Sequence, residues 1–213
     1  MKKKAIIISI KGYHLSTKEK MLIKNEKPWG LILFKRNIKS LRQVIELIKK
    51  IRKLSKDSKF PILIDEEGET VSRLSKITSH DFSQKLFGDM YEHNPKITLI
   101  AYKKYINNLT TLLKKIGINI NTVPVLDVIR KKTHKIIGNR SFSNDPRIVK
   151  KLGLVCVKQY KSNKLGTVIK HIPGHGCSTF DSHLKTPKVK LNYKDLNKID
   201  FFPFKSNSSQ FAM

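Results

Sequence analysis

The sequence predicts an α/β fold, and three observations carry that prediction. Short apolar runs rich in β-branched residues alternate with longer stretches of helical periodicity. Polar residues gather immediately after those short runs, and no glycine-rich phosphate loop follows any of them. The first observation fits a parallel sheet covered on both faces. The other two favour a (β/α)8 TIM barrel, whose active site lies at the C-terminal ends of the strands, over a doubly wound nucleotide-binding sheet.

Taken in chain order, residues 5–10 read as the first strand, 30–34 as the second and 61–64 as the third. Residues 118–128 contain a fourth and 167–169 form a fifth. Helices lie between them. Leu41, Val44, Ile45, Ile48 and Ile51 recur at helical spacing, with Ser40 as N-cap. Residues 97–116 form a long helix that stops at Gly117. Residues 146–163 form another, with Asp145 as cap and Pro146 in the first turn. Residues 75–95 are the least periodic and read as a long loop with some helix.

Composition narrows the function. The chain has 213 residues, 39% of them hydrophobic, enough for a packed core and short enough for a single domain. No run of 18 apolar residues exists, so no membrane-spanning helix is expected. The apolar run after Lys4 has six residues, too few for a signal peptide, and a cytoplasmic location is expected. Two cysteines, Cys156 and Cys177, make neither a disulfide framework nor a four-thiolate zinc site. The formal net charge is +28. Lysine dominates it and is spread along the whole chain, as AT-rich coding would produce. Nucleic-acid readers instead cluster charge and favour arginine, so no nucleic-acid partner is expected.

The densest chemistry lies between Lys170 and His183. His171, Pro173, Gly174, His175 and Gly176 come first, then Asp181 and His183. The proline and glycines make this a loop, and its spacing is not that of a helical metal site, so no metal is expected. Asp181 and His183, two apart, suit acid–base work, because a carboxylate beside an imidazole fixes its tautomer and raises its basicity. A structural His–Asp hydrogen bond would look the same.

Lys170-His171-Ile172-Pro173-Gly174-His175-Gly176 followed by Asp181-Ser182-His183 resembles the signature of family 3 glycoside hydrolases, in their bacterial single-domain β-N-acetylhexosaminidase branch. Four further motifs are similar in order: Gly30 to Asn37, Ile64-Asp65-Glu66-Glu67-Gly68 with Arg73 beyond, Pro124 to Val128, and Asn139 to Pro146. The resemblance implies that Asp65, Arg73, Arg140, Lys170 and His171 bind an N-acetylglucosamine unit. It implies that His183 is the general acid/base, assisted by Asp181, with His175 supporting the loop and Asp127 structural. The implied activity is removal of terminal β-linked N-acetylglucosamine with retention, from muropeptide-like saccharides in cell-wall recycling. It implies no cofactor, and it says nothing of the oligomeric state.

Two departures from the family pattern matter. Glu69 stands where the family usually has a second glycine, which would add strain if that position needs positive φ. Residues 200–204 match the helix before the sixth strand, and residues 210–213 that strand's start. By that resemblance, residues 1–213 form one incomplete barrel domain of about five to six strand–helix units, ending before the strand that carries the nucleophile. The chain as given is then expected to be inactive. Two other readings stand beside this one: a sugar-binding remnant without catalysis, and a basic nucleic-acid-binding protein.

Overall fold

A computed structural model describes residues 3–79, 81–178, 188–205, 207 and 209–213. Six strands run in the order β1 (Lys4–Ile8), β2 (Pro28–Leu33), β3 (Ile62–Ile64), β4 (Ile120–Asn121), β5 (Gly166–Ile169) and β6 (Phe211–Ala212). All pair in parallel with their sequence neighbours. That unbroken order is the wall of a (β/α)8 barrel. A doubly wound sheet would reverse direction at a switch point. β4 is shorter than the 118–128 segment that contains it, because Pro124 has no N–H to give to the ladder; pairing resumes at the Val125–Lys170 bridge.

Between the strands run α1 (Thr17–Glu26), α2 (Leu41–Ser55), α3 (Gln84–His93), α4 (Pro95–Ile116), α5 (Pro146–Ser162) and α6 (Tyr193–Lys198). Their ends are chemically specified. The side chains of Ser40, Asn94 and Asp145 accept from backbone N–H groups at the starts of α2, α4 and α5. Gly117 ends α4 at φ 100, where a side chain would be strained. α2 buries Val44, Leu47, Ile48 and Ile51, the stripe its periodicity announces.

The sheet has two apolar faces. On β3, Ile62 and Ile64 belong to the large core under the helices, whereas Leu63 packs inward with Ile120, Val168, Trp29, Ile32 and Phe211. Period-two alternation thus divides the strand between helix layer and barrel interior.

Three expectations change. α1 was not anticipated, because it buries only Ile23 and has almost no apolar stripe; its sign was the capping box, Ser16 with Glu19. The helix before β6 is Tyr193–Lys198 rather than residues 200–204. Asn192 caps it by accepting from Asp195 N at 2.9 Å, while Asp200 is drawn to Arg130 and the following residues form turns. Glu69 carries no strain: Gly68 alone takes the positive φ in this turn, at 140°, with the Phe82 carbonyl against it.

Gly88 on α3 packs against the Phe142 carbonyl so closely that a Cβ would lie 1.7 Å from the oxygen. Helix propensity favours alanine over glycine by roughly 0.8–1.0 kcal/mol, but overpacking costs about 1–3 kcal/mol, and here the obstacle is backbone. Gly88→Ala should therefore destabilise by at least about 1 kcal/mol in urea unfolding. Gly12→Ala, with nothing within 4 Å, should stay within about 0.5 kcal/mol of the parent.

Candidate functional site

The C-terminal ends of β3, β4 and β5 converge on one cluster. β3 ends in Asp65, Glu66 and Glu67, which point alternately. Asp65 and Glu67 face Lys170, which follows β5. Glu66 turns the other way and accepts from Ser72 Oγ at 2.8 Å, Arg73 N at 2.7 Å and Leu74 N at 2.9 Å. It thereby folds residues 72–74 back so that Arg73 reaches Asp65.

Lys170 Nζ lies 2.5 Å from Glu67 Oε1, 2.9 Å from Thr122 Oγ1 and 3.7 Å from Asp65 Oδ1. Its side chain is 3% exposed. The Asp65 carboxylate also accepts from the Thr122 hydroxyl, and from Arg73 Nη2 at 3.1 Å. Glu67 is held by a two-pronged contact from Arg140, with Nε at 2.7 Å and Nη2 at 3.0 Å. Such forked pairs fix geometry as well as charge.

Arg140 Nη2 continues to His171 Nε2 at 3.2 Å. A guanidinium only donates, so Nε2 is the acceptor and the imidazole hydrogen sits on Nδ1. That hydrogen points to Asp127 Oδ2 at 2.6 Å. Asp127 is fully buried after β4, and its Oδ1 accepts from the backbone N–H groups of His171 at 3.3 Å and His175 at 2.7 Å. It anchors the loop and sets the histidine's tautomer.

Burial alone would push the Asp65 and Glu67 carboxyls up. The nearby cations outweigh it and hold both below their ordinary values. Lys170 leads for each, with Thr122 and Arg73 adding at Asp65 and Arg140 adding at Glu67. Burial would likewise lower the Arg140 guanidinium, but Glu67 overcomes this and raises it.

All five sugar-binding candidates, Asp65, Arg73, Arg140, Lys170 and His171, therefore meet at one end of the sheet. Arg73 and His171 are the more open, with side chains 29% and 26% exposed. His183 and Asp181 lie outside the described residues. Thr122 was not singled out in the sequence, and Glu67 was named there only within its motif, without a binding role. The usable sign for Glu67 was its spacing of two from Asp65 in extended backbone, which puts both carboxylates on one side. Among the described residues no group of three or more His, Cys, Asp or Glu side chains could hold a metal ion.

The profile described as "Glycosyl hydrolase family 3 N terminal domain" matches residues 2–210. A beta-hexosaminidase A of Pseudoalteromonas piscicida is 33% identical over 180 residues, 82% of this chain and 30% of its own length. A beta-hexosaminidase of Nitrosomonas eutropha is 29% identical over 200 residues, 94% of this chain and 57% of its own length. The crystal structure of NagZ from Neisseria gonorrhoeae in complex with N-trifluoroacetyl-D-glucosamine superposes with a TM-score of 0.88 at 27% identity. That match covers 99% of this chain and 63% of the NagZ chain. The chain thus spans less than two thirds of the length of these relatives.

Removing one partner of a buried ion pair typically costs about 3–5 kcal/mol, so Lys170→Met should destabilise by that order. The pH dependence has a definite sign. A carboxyl whose folded pKa lies below its unfolded value, near 4, contributes stability that is complete above that value. The contribution is lost as pH falls through the folded value. Asp65 and Glu67 should thus support the parent until pH drops below the usual carboxylate range. In Lys170→Met the folded carboxyl values rise, so the variant should trail the parent most near pH 7 and the gap should narrow as pH falls and the carboxyls protonate. Urea titrations from pH 7 to 3 measure both effects; parallel curves for parent and variant would contradict the ion-pair account.

Proposed function

We propose, from the premise that this chain belongs to glycosyl hydrolase family 3, that its cluster is the sugar-binding half of a glycosidase site. The reaction is release of terminal β-linked N-acetylglucosamine with retention. The observation that carries this reading is the convergence of Asp65, Arg73, Arg140, Lys170 and His171 at the strand ends, held by one network. Carboxylate and guanidinium groups suit a ring of hydroxyls: Asp65 accepts and Arg73 donates, while Lys170, buried among Glu67, Thr122 and Asp65, holds the carboxylates for the sugar. The sugar-bound NagZ structure and the relatives named beta-hexosaminidase support the same substrate class.

A retaining glycosidase needs an acid for the leaving oxygen and a carboxylate nucleophile on the opposite face. In this reading His183, assisted by Asp181, is the acid and then the base. An imidazole, with an ordinary pKa near 6.5, does this work close to neutrality. Among the described residues, no carboxylate at the strand ends is disposed as nucleophile. Glu66, Glu67 and Asp127 are buried and engaged with neighbouring loops, and Asp65 is held by Thr122 and Arg73. In this reading the described residues form the sugar-binding part of the site, and the nucleophile lies outside them. The natural substrates are muropeptide-like saccharides from cell-wall recycling, in the cytoplasm. The free thiols of Cys156 and Cys177 suit that reducing compartment.

Calorimetric titration with N-acetylglucosamine tests the reading. The parent should bind saturably, and Asp65→Asn should weaken binding about 10- to 100-fold, the worth of one charge-assisted hydrogen bond. An aryl β-N-acetylglucosaminide should not be turned over by this chain. Absence of binding, or equal affinity in the variant, would overturn the assignment; robust turnover would overturn the statement about the nucleophile. In the proposed complete hydrolase, His183→Ala should lower turnover by about 10²–10⁴-fold on poor leaving groups and less on activated aryl ones. Equal losses on both would remove His183 from the acid role.

A further inference from the structure

The segment 171–178 is fastened on both flanks, and only one flank belongs to the sugar cluster. On the first, Asp127 holds the His175 N–H, Gly176 lies under the Val128 carbonyl with no room for a Cβ, and the Thr133 hydroxyl donates to Gly176 O at 2.6 Å. The His134 N–H adds a bond to Ser178 O at 3.0 Å. On the second flank stands Asp200, far along the chain and fully buried after α6.

Asp200 Oδ1 accepts from the Cys177 thiol at 3.0 Å and from Arg130 Nε at 3.3 Å; Oδ2 accepts from Arg130 Nη2. Gly174, at φ 124, rests on Asp200 itself, where a Cβ would come within 2.9 Å of the aspartate Cβ. Arg130 lies three residues beyond Asp127, the group that holds His171. One buried carboxylate therefore joins the loop after β4, the loop after β5 and the approach to β6. A buried charge with a forked partner costs desolvation that a surface pair would not, so its value here lies in fixing positions.

We infer that Asp200 is a positioning residue for the sugar site: through Arg130 and Cys177 it fixes the 171–178 loop, and so holds His171 against Asp127 and Arg140. This rests on the sugar-site reading for its purpose, not for its geometry. Residues 174 and 176 fit the same scheme, since each is a glycine where the Asp200 Cβ and backbone, or the Val128 backbone, leave no space. Cys177 reports on the clamp chemically. Burial and the Asp200 carboxylate push its thiol up to about 12, which suppresses the thiolate that alkylating agents need.

The experiment compares the parent with Asp200→Asn and Arg130→Lys by two measurements that need neither turnover nor sugar. The first is the rate of Cys177 alkylation by iodoacetamide, read by mass spectrometry, with buried Cys156 as the folding control. The second is the downfield proton resonance of His171 Nδ1–H in its short bond to Asp127. Asp200→Asn removes the carboxylate that accepts from the thiol and repels its thiolate, so it should speed Cys177 alkylation several-fold, and should broaden or remove the resonance. Arg130→Lys keeps the charge but loses the fork, and should fall between. Unchanged alkylation would show that the clamp is absent. Faster alkylation with an intact resonance would show a clamp that does not reach the site, and either result overturns the proposal. If Asp200→Asn exposes Cys156 as well, Arg130→Lys alone decides. A failed sugar titration with both signals behaving as expected would sink the sugar reading and leave the clamp standing.

Discussion

One buried ammonium organises the strand ends. Lys170 Nζ sits among Glu67, Thr122 and Asp65, contributed by the ends of β3 and β4, while Lys170 itself follows β5. Moving an ammonium out of water costs several kcal/mol, and carboxylates buried alone would fare no better. Together they offset each other, provided the geometry is held. Each loop is then fixed because its neighbours are. Without Lys170, two carboxylates would be left buried against each other's charge, with only the two arginines to answer them.

The surrounding packing follows from that need. Glu66 staples residues 72–74 so that Arg73 can reach Asp65. Arg140 straddles Glu67 and passes the chain of contacts to His171, whose tautomer Asp127 sets. Tyr160 and Asn121 lock the backbone of Glu66 from beneath: Asn121 accepts its N–H at 2.9 Å, and donates to its carbonyl and to the Tyr160 hydroxyl at 2.8 Å. A site built in this way holds its groups in place before any ligand arrives, which is the condition for charged groups to be effective toward hydroxyls.

Much of this was legible in the sequence, and the reasons differ by element. Strands β2, β3 and β5 were readable because they are continuous apolar runs buried on both faces. α2, α4 and α5 were readable because cap residues and apolar spacing agree. α1 was not, since a helix that buries only Ile23 carries almost no periodic signal. The shift of the last helix to Tyr193–Lys198 was hidden because it depends on Asn192 as cap and on Asp200 being claimed by Arg130, seventy positions away. In the site, Asp65, Arg73, Arg140, Lys170 and His171 came through resemblance to a family. Glu67 and Thr122 did not, because their part is to satisfy Lys170 across strand ends; the spacing of Glu67 from Asp65 gives its side of the strand but not that partner. Glu69 looked like a source of strain only while its φ was unknown.

The central claim is that this pre-built network is a sugar site. A crystal structure of the chain with N-acetylglucosamine tests it most directly. The account predicts one sugar ring over the ends of β3–β5, with hydroxyls within hydrogen-bond distance of Asp65, Arg73 and His171 and the Lys170 contacts intact. A sugar bound elsewhere on the surface, or a site in which Lys170 has parted from Glu67 and Asp65, would contradict it.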